Sequence, residues 1–599
     1  MRPADRTTGL AAPILVRIEL GSGLSFGESS ETTRLQRRLT SELAVLFDRL
    51  GVPGEPAVEV GTTDSNRPVR ISVHGRPQPY SPDLLRRAWL AVAPPELREL
   101  PSVVPNDTDP GFPAGWLSAY ARGSESEGRG PSTALIAAML ERLTVQVVVE
   151  HPSCLLGAAQ VDAYAMELGC RPQWLETLLR SLLDLGASLE NREVIRRVTL
   201  EGEEIDRAPE DTIEAAFTEL RSHAIEIHVH PATLRELVPV SSGHERLSVY
   251  DPRIGATQRD LFRNLERTFF SAFGFILPGL YWVPAPGMAE RSVAVRVGAW
   301  RGLPLPMLPP DKRLVMATVE ELPVPGALPA VNPITGTPCA VVDDGLKSEL
   351  EQHGYTTWGR VDFVIVILVS ELSRRAGTLL GMEEIEYQLA QLRTEGEEPL
   401  PASARTALTL FSLGDVTRVL RALVDERLSL RDLPGLLERL VQFDTVPLDQ
   451  DRTEVVLLDD RLPISPHVPI DEVRSWPTYY AFLRRQLSPY LSYFHAGGDR
   501  RIRGYALEPE IERRAKRSPP EFTDRELESF RDAVWKELAS SPPDTGQLIV
   551  TTTGARAVVR ELLAPEFPDL SVLAYSELSP DVDLERLGTI SAFAPVSAE

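Results

Sequence analysis

The stretch LFSLGDVTRVLRALVDERLSLRDLPGLLERL (410–440) decides how the rest of the chain is read. Leu413, Val416, Val419, Leu420 and Leu423 fall at helical spacing, and Leu428, Leu430, Leu433, Leu436, Leu437 and Leu440 resume the stripe after a polar break. The pattern predicts a helix, a short turn and a second helix. Asp432 before Leu433-Pro434 is a sound start for the second helix. An aspartate caps the first N–H groups, and a proline in the first turn gives up an N–H that has no intrahelical partner there anyway. From pattern alone this is an ordinary helical hairpin.

Working outward, the hairpin has an earlier double. SLLDLGASLENREVI (181–195) lies against ALVDERLSLRDLPGL (422–436) at an offset of 241. IAAMLERLTVQVVVEHPSCLLGAAQVDAY (136–164) lies against RVDFVIVILVSELSRRAGTLLGMEEIEYQ (360–388) at 224, and Leu155-Leu156-Gly157 meets Leu379-Leu380-Gly381. RPVRISVHGRP (67–77) matches RSVAVRVGAWRG (291–302), also at 224. FDRLGVPGEPAVEV (47–60) matches FSAFGFILPGLYWV (270–283) at 223, and ILVRIELGSGL (14–24) matches AIEIHVHPATL (224–234) at 210. An offset that only steps upward across five ordered matches marks residues 13–200 as a degenerate copy of 222–440.

Within the earlier copy, ILVRIELGSGL alternates as a half-buried strand, and Leu35–Leu50 carry helical spacing that Gly51 stops. Residues 105–132, rich in Gly, Pro and Ser, read as a loop, and EGEEIDRAPEDT (201–212) as an acidic linker. Residues 442–469 are loop-like around one apolar run. Residues 471–495 read as helical, with Trp476, Tyr479, Tyr480, Phe482, Tyr490, Tyr493 and Phe494 expected in core packing. The end of the chain is cleaner. QLIVTT (547–552), ARAVVRELLAP (555–565) and LSVLAYSEL (570–578) spell strand, helix, strand, a βαβ unit with a parallel pair. The expected fold class is therefore multidomain α+β. It combines small α/β subdomains, a helical subdomain, an N-terminal half that duplicates the region after it, and a C-terminal domain containing βαβ.

Composition bounds the function. A chain of 599 residues exceeds the ~250–300 at which single cores stop growing. A net charge of −23 repels a nucleic-acid backbone and an anionic membrane as main partners. The basic runs at 500–503 and 513–517 read as solvated helix faces. Cys154, Cys170 and Cys339 are too few and too scattered for a disulfide framework or a cysteine metal site. No apolar run approaches the ~20 residues needed to span a bilayer. The expectation is a cytoplasmic protein, soluble without detergent and without direct membrane insertion.

Catalytic chemistry finds no motif to rest on. TTTGARAVV (551–559) lacks the glycines and lysine of a phosphate loop. His228 and His230 share a strand face without a third ligand at useful spacing, and are expected as exposed strand histidines. NDTDPG (106–111) fails the calcium-loop pattern and reads as a turn. Asp343-Asp344, Glu383-Glu384 and Asp581/Asp583 are adjacent by abundance in so acidic a chain. The expected catalytic, cofactor and metal sites are none, which favours a non-enzymatic protein working through shaped surfaces.

Several of these segments together resemble one family, the FHIPEP export-gate proteins of flagella and type III secretion systems. They are RAGTLLGMEEIEYQLAQL (375–392) with Leu380, Gly381 and Glu384, SLG (412–414), LRALVDERLSLRDLPGLLERL (420–440) and VLAYSELSPDVDLERLGTI (572–590). The resemblance covers about 222–592, the family's cytosolic region without its membrane domain. It implies subdomains at 222–310, 311–400, 401–445 (helical) and 446–592, preceded by the copy at 13–200 and a linker at 201–221. It further implies a soluble component that binds export chaperones, substrates or secretion-apparatus proteins, with homo-oligomers open to it. The docking surface it implies lies in 360–413, around Phe363, Leu372, Leu380 and Ser412. The alternative is a duplicated interaction scaffold repurposed for another cytoplasmic assembly or regulatory system.

The hairpin pattern puts Leu433 in a core. Leu433→Asp is expected to cost several kcal/mol, the penalty of an unpaired buried charge. Thermal denaturation checks it, and an unchanged midpoint means that Leu433 is not buried.

Overall fold

The computed structural model describes residues 12–21, 29–62, 69–92, 133–204, 209–222, 224–239, 243–332, 338–392, 402–445, 476–496, 500–517, 519–539 and 548–593. These divide into two compact units, with 271–275 and everything after Leu379 belonging to the second. The loop at 105–132, the NDTDPG turn and the apolar run near 455 lie outside the described residues.

The first unit opens with β1 (Ile14–Leu20), α1 (Ser29–Leu50), β2 (Pro56–Thr62), β3 (Val69–Val73), β4 (Arg76–Gln78) and α2 (Pro82–Val92). Helices α3 (Thr133–Glu150), α4 (Ala158–Leu168), α5 (Pro172–Asp184), α6 (Arg192–Glu204) and α7 (Pro209–Leu220) follow. Ile14, Val16, Ile18 and Leu20 are buried on one face of β1, and Arg17 on the other pairs with Glu59 across the parallel β1–β2 register. The sheet order is β2-β1-β3-β4. The stretch expected as a linker is largely helical. It holds the end of α6 and all of α7, whose Ile213, Ala216 and Phe217 are buried, with Glu214 buried beside them and Glu219 exposed.

A second sheet follows from β5 (Ala224–Val229), α8 (Pro231–Leu237), β6 (Leu247–Ser248), α9 (Ala256–Phe273), β7 (Gly279–Pro284), β8 (Ser292–Val297), β9 (Trp300–Arg301) and β10 (Leu305–Pro306). Its order is β10-β8-β5-β7-β6, with β9 on β8. A third, β12-β13-β11-β14, is built from β11 (Lys312–Val315), β12 (Leu328–Val331), β13 (Pro338–Asp343) and β14 (Thr357–Trp358), with α10 (Lys347–Gln352) against it. Val315, Ala340, Val342 and Leu350 form its own small core. Helix α11 (Arg360–Arg374) closes the unit.

The second unit carries α12 (Met382–Gln391), α13 (Ala402–Leu410), α14 (Leu413–Asp425), α15 (Leu433–Val441), α16 (Trp476–Gln486) and α17 (Ser488–Ala496). Then come β15 (Arg501–Leu507), α18 (Pro509–Ala515), α19 (Asp524–Ala539), β16 (Leu548–Thr551), α20 (Thr553–Leu563), β17 (Ser571–Ala574) and β18 (Asp583–Ile590). The predicted βαβ unit is present, with β16 and β17 parallel in a sheet ordered β17-β16-β15-β18. Around it pack Ile511, Phe530, Val534, Ile549, Val559, Leu563 and Ile590. In the hairpin of α14 and α15, Leu433 is 3% exposed and Asp432 accepts the Gly435 N–H at 3.1 Å.

The matched segments share geometry. In each half the first strand runs parallel to the second and antiparallel to the third, which turns back on a short fourth. Val16 pairs with Val73 and Ile225 with Val297, each partner being the last residue before its hairpin turn. That sets the strand offset at 225 − 16 = 209, one residue from the 210 drawn from sequence, and one residue is enough to exchange the faces of a strand. At 223, Gly51 and Gly274 both end a helix with positive φ, 73° and 81°. At 241, Leu189 donates its N–H to Leu50 O and Leu430 its N–H to Phe273 O, both at 2.8 Å. Arg180 and Arg421 clamp the carbonyls of Leu156 and Leu380, and Asn191 and Asp432 cap the helices that follow.

At both glycines an added Cβ would sit 2.5 Å from a backbone carbonyl carbon, of Leu189 or of Leu430. Gly51→Ala and Gly274→Ala are each expected to cost more than ~2 kcal/mol, because left-handed strain of about 1–2 kcal/mol is joined by a backbone clash. Gly75 has φ 77° and nothing within 4 Å, so Gly75→Ala carries the strain alone. Urea midpoints check the contrast, and equal losses at all three positions contradict it.

Candidate partner-binding surface

The segment expected to dock partners, 360–413, is split between the units after Leu379. In the first unit Phe363 and Leu372 are 4% and 0% exposed on the inner face of α11. In the second, Leu380 is fully buried, and its carbonyl accepts Arg421 Nε and Nη2 at 3.0 and 2.8 Å. Ser412 is exposed but works as the N-cap of α14, accepting the Asp415 N–H at 3.0 Å and donating its hydroxyl to Asp415 Oδ2 at 2.7 Å. Three of the four positions therefore hold the core, and the fourth holds a helix end. The exposed large side chain of this segment on α12 is Tyr387.

The C-terminal end of α11 is covered by the earlier half of the chain. Glu371 makes a buried ion pair with Arg87 of α2, and Arg374 pairs with Asp83. Arg375 pairs with Glu150 at the end of α3 while its guanidinium lies over the Trp300 ring, 3.8 Å from the centroid. Glu150 also accepts from Gln146 at 3.0 Å and Trp300 Nε1 at 3.4 Å. At the β8–β9 turn, Ala299 donates its N–H to Gly186 O at 2.9 Å.

A second buried charge cluster lies in the second unit. Glu426, at the end of α14, receives Arg484 at 2.6 Å, with Arg556 and the Tyr480 hydroxyl on its other oxygen. Arg484 turns its remaining edge to Glu577 at 2.7 Å. Burial pushes the Glu426 carboxyl up, but Arg484 and Arg556 overcome it and hold it down at about 2.

The aromatics of 476–494 divide into two sets. Tyr479, Tyr480 and Phe482 are core, but Tyr490, Tyr493 and Phe494 are 46%, 47% and 56% exposed on α17. Tyr490 and Phe494 stack at 6.2 Å, and Tyr493 donates to Asp581 at 2.9 Å. Spacing i, i+3, i+4 was the available signal. Leu491 and Ser492 occupy the inner face, which leaves this aromatic stripe outward.

The other singled-out residues have structural partners. His228 is half-buried and bonded to Glu226 at 2.9 Å, and His230 caps α8, so neither is an exposed strand histidine. Arg501 and Arg503 lie on strand β15 beside Glu585 rather than on a helix. Arg513 and Arg514 pair with Glu510, and Arg514 also with Glu526. Asp343 and Asp344 pair with Lys312 and Arg313, and Glu384 accepts the Gly381 N–H. Among the described residues no group of His, Cys, Asp and Glu is arranged to hold a metal, and no helix is long and apolar enough to cross a membrane.

The fold is thus a mixed helix-and-sheet protein built from several small sheets. More particularly, residues 195–461 carry a FHIPEP family domain. Flagellar biosynthesis protein FlhA of Bacillus subtilis is 24% identical over 282 residues, 47% of this chain and 38% of that protein. Hypersensitivity response secretion protein HrcV of Ralstonia nicotianae is 24% identical over 346 residues, 55% of this chain and 44% of that protein. The chain spans less than half the length of either relative. Among solved structures, the Chlamydia pneumoniae CdsV protein matches with a TM-score of 0.47 and 19% identity, covering 61% of this chain and 97% of that one.

Glu426 sets an acid limit. Its folded value lies below the ordinary 4.5, so its contribution is present above pH ~4.5 and lost as pH falls towards 2. Glu426→Gln is expected to lower the thermal midpoint at pH 7 and to flatten its fall between pH 4.5 and 2. Parallel curves for variant and wild type contradict this.

Proposed function

We propose that the chain is an export-gate-like component that binds export chaperones or substrates in the cytoplasm, without catalysis, through protein surfaces. The observation that carries this reading is the FHIPEP domain at 195–461. The exposed aromatics support it. Tyr387 on α12 and the Tyr490–Phe494 stack on α17 are large, rigid side chains of the kind that anchor protein interfaces. We also propose that residues 13–200 are a degenerate copy of 222–440. The left-handed glycines, arginine clamps and caps support it at the offsets that the sequence gives, and the shared strand directions support it one residue away from theirs.

A second reading is favoured by one observation. Arg87, Asp83 and Glu150 of the earlier half occupy the end of α11, in the segment that the family resemblance assigns to docking. A chain that covers this surface itself is a scaffold turned to another assembly.

Capture of purified export chaperones, alone and loaded with substrate, by the immobilised chain separates the two. The export reading expects capture by wild type, and a loss of about tenfold or more in Tyr387→Ala or in Tyr490→Ala/Phe494→Ala with an unchanged thermal midpoint. No capture by wild type favours the second reading. Capture untouched by both variant sets removes these aromatics from the interface.

A further inference from the structure

Most arginines of this acidic chain that lie against other elements have a carboxylate or carbonyl partner. Four are gathered in the first unit, and three of them, Arg49, Arg142 and Arg301, do not follow that pattern. Arg49 stands in the last turn of α1, Arg142 on α3, Arg296 on β8 and Arg301 on β9, all half-buried. The antiparallel β8–β9 register sets Arg296 directly opposite Arg301, an arrangement in which like charges destabilise the pair. Helix α3 packs on β9, bringing Arg142 towards Arg301.

Their charges act on one another. Burial, then Arg296 and Arg301, lower the Arg49 guanidinium to about 10, and burial, then Arg142 and Arg296, lower that of Arg301, with Glu42 opposing. Acidic compensation is thin. Glu226 lies 3.7 Å from Arg296, whose Nε donates to Gly298 O at 3.0 Å, and Glu42 acts on Arg301 only at a distance. Among the described residues the guanidinium groups of Arg49, Arg142 and Arg301 make no ion pair, and Arg49 Nε is buried without a hydrogen-bond acceptor. A bound anion would accept from this buried donor and at the same time offset the repulsion among the like charges around it.

We propose that Arg49, Arg142, Arg296 and Arg301 form a binding site for a multivalent oxyanion of the phosphate class. Guanidinium forks match the paired oxygens of phosphate, and an anion of two or more charges offsets repulsion that one carboxylate leaves in place. Two of the arginines come from the earlier half and two from the later one, so the anion ties residues 13–200 to the β8–β9 hairpin. This site is independent of the export reading.

The test uses the full chain in calorimetric titration and thermal denaturation at constant ionic strength. Inorganic phosphate, pyrophosphate and ADP are the probes and sodium chloride the control. The expected result is a saturable rise in midpoint with pyrophosphate that chloride does not give, and weaker binding of phosphate. ADP binding tighter than pyrophosphate assigns a phosphate carried on a larger molecule, and otherwise the free oxyanion is assigned. Arg49→Gln and Arg301→Gln each lose about tenfold or more in affinity, the worth of one charge-assisted hydrogen bond. Without anion, the same variants melt at or above wild type, because repulsion is relieved. No saturable binding by wild type, equal affinity in the variants, or a lower midpoint of both anion-free variants overturns the proposal.

Discussion

Each half of the first 440 residues depends on one contact, where a helix ends on a left-handed glycine and gives its last carbonyl to a leucine N–H far along the chain. Leu50 O meets Leu189 N, and Phe273 O meets Leu430 N. The carbonyl belongs to a helix C-terminus, which has no intrahelical donor left, and the N–H lies in the turn of a helical hairpin, where no ladder supplies an acceptor. Each group completes the other. The approach is so close that the residue after the carbonyl must lack a Cβ, which fixes Gly51 against the hairpin turn of the first unit and Gly274 against that of the second. Separations of 189 − 50 = 139 and 430 − 273 = 157 residues make these long-range contacts, one within each unit.

Much of this was legible in the sequence because it rests on residue types with few substitutes. Glycine at a left-handed helix end, Asn or Asp at a cap, and leucines at helical spacing have few substitutes, and the structure repeats the glycines at 223 and the caps at 241. The strand offset slipped by one because ILVRIEL and AIEIHV align on β-branched residues in either register. Only the hydrogen-bonded pairs of Val16 and Ile225 decide between them. Helix α7 was hidden by its acids, since EGEEIDRAPEDT looks polar until Ile213 and Phe217 are seen on one face. Phe363, Leu372 and Leu380 are apolar positions of the family-like segment, and apolar positions are the ones that face the core, while Ser412 caps a helix. Tyr387, two turns along the same motif, was the readable alternative, an aromatic among Glu383 and Glu386 on the polar face.

Charge in this chain is distributed by architecture rather than by the sequence average. Arg87–Glu371, Arg375–Glu150 and Arg484–Glu426–Arg556 join elements far apart in sequence. No local pattern announces such pairs. Each is a demand on uniqueness more than a gain in stability, because removing one partner strands a buried charge while replacing both by apolar residues costs little. Against that background the arginines at 49, 142, 296 and 301 stand apart, gathered by the same packing without carboxylates in reach of three of them.

The two hairpin turns meet different partners. Gly186 and Arg427 sit at the same offset of 241, both with positive φ, 81° and 61°. At Gly186 the turn meets backbone. Its carbonyl accepts Ala299 N–H, and Gly298 passes so near that a Cβ there would fall 2.7 Å from the same oxygen. At Arg427 the turn meets side chains, Arg427 reaching Asp569 while its neighbour Glu426 takes Arg484 and Arg556. The backbone contact at the earlier turn requires glycine at Gly298, while a Cβ at Gly186 itself would meet nothing within 4 Å, and the charged contacts at the later turn are weakened by acid. The earlier turn is therefore a permanent seam within the first unit, and the later one is held by titratable groups that a low pH releases.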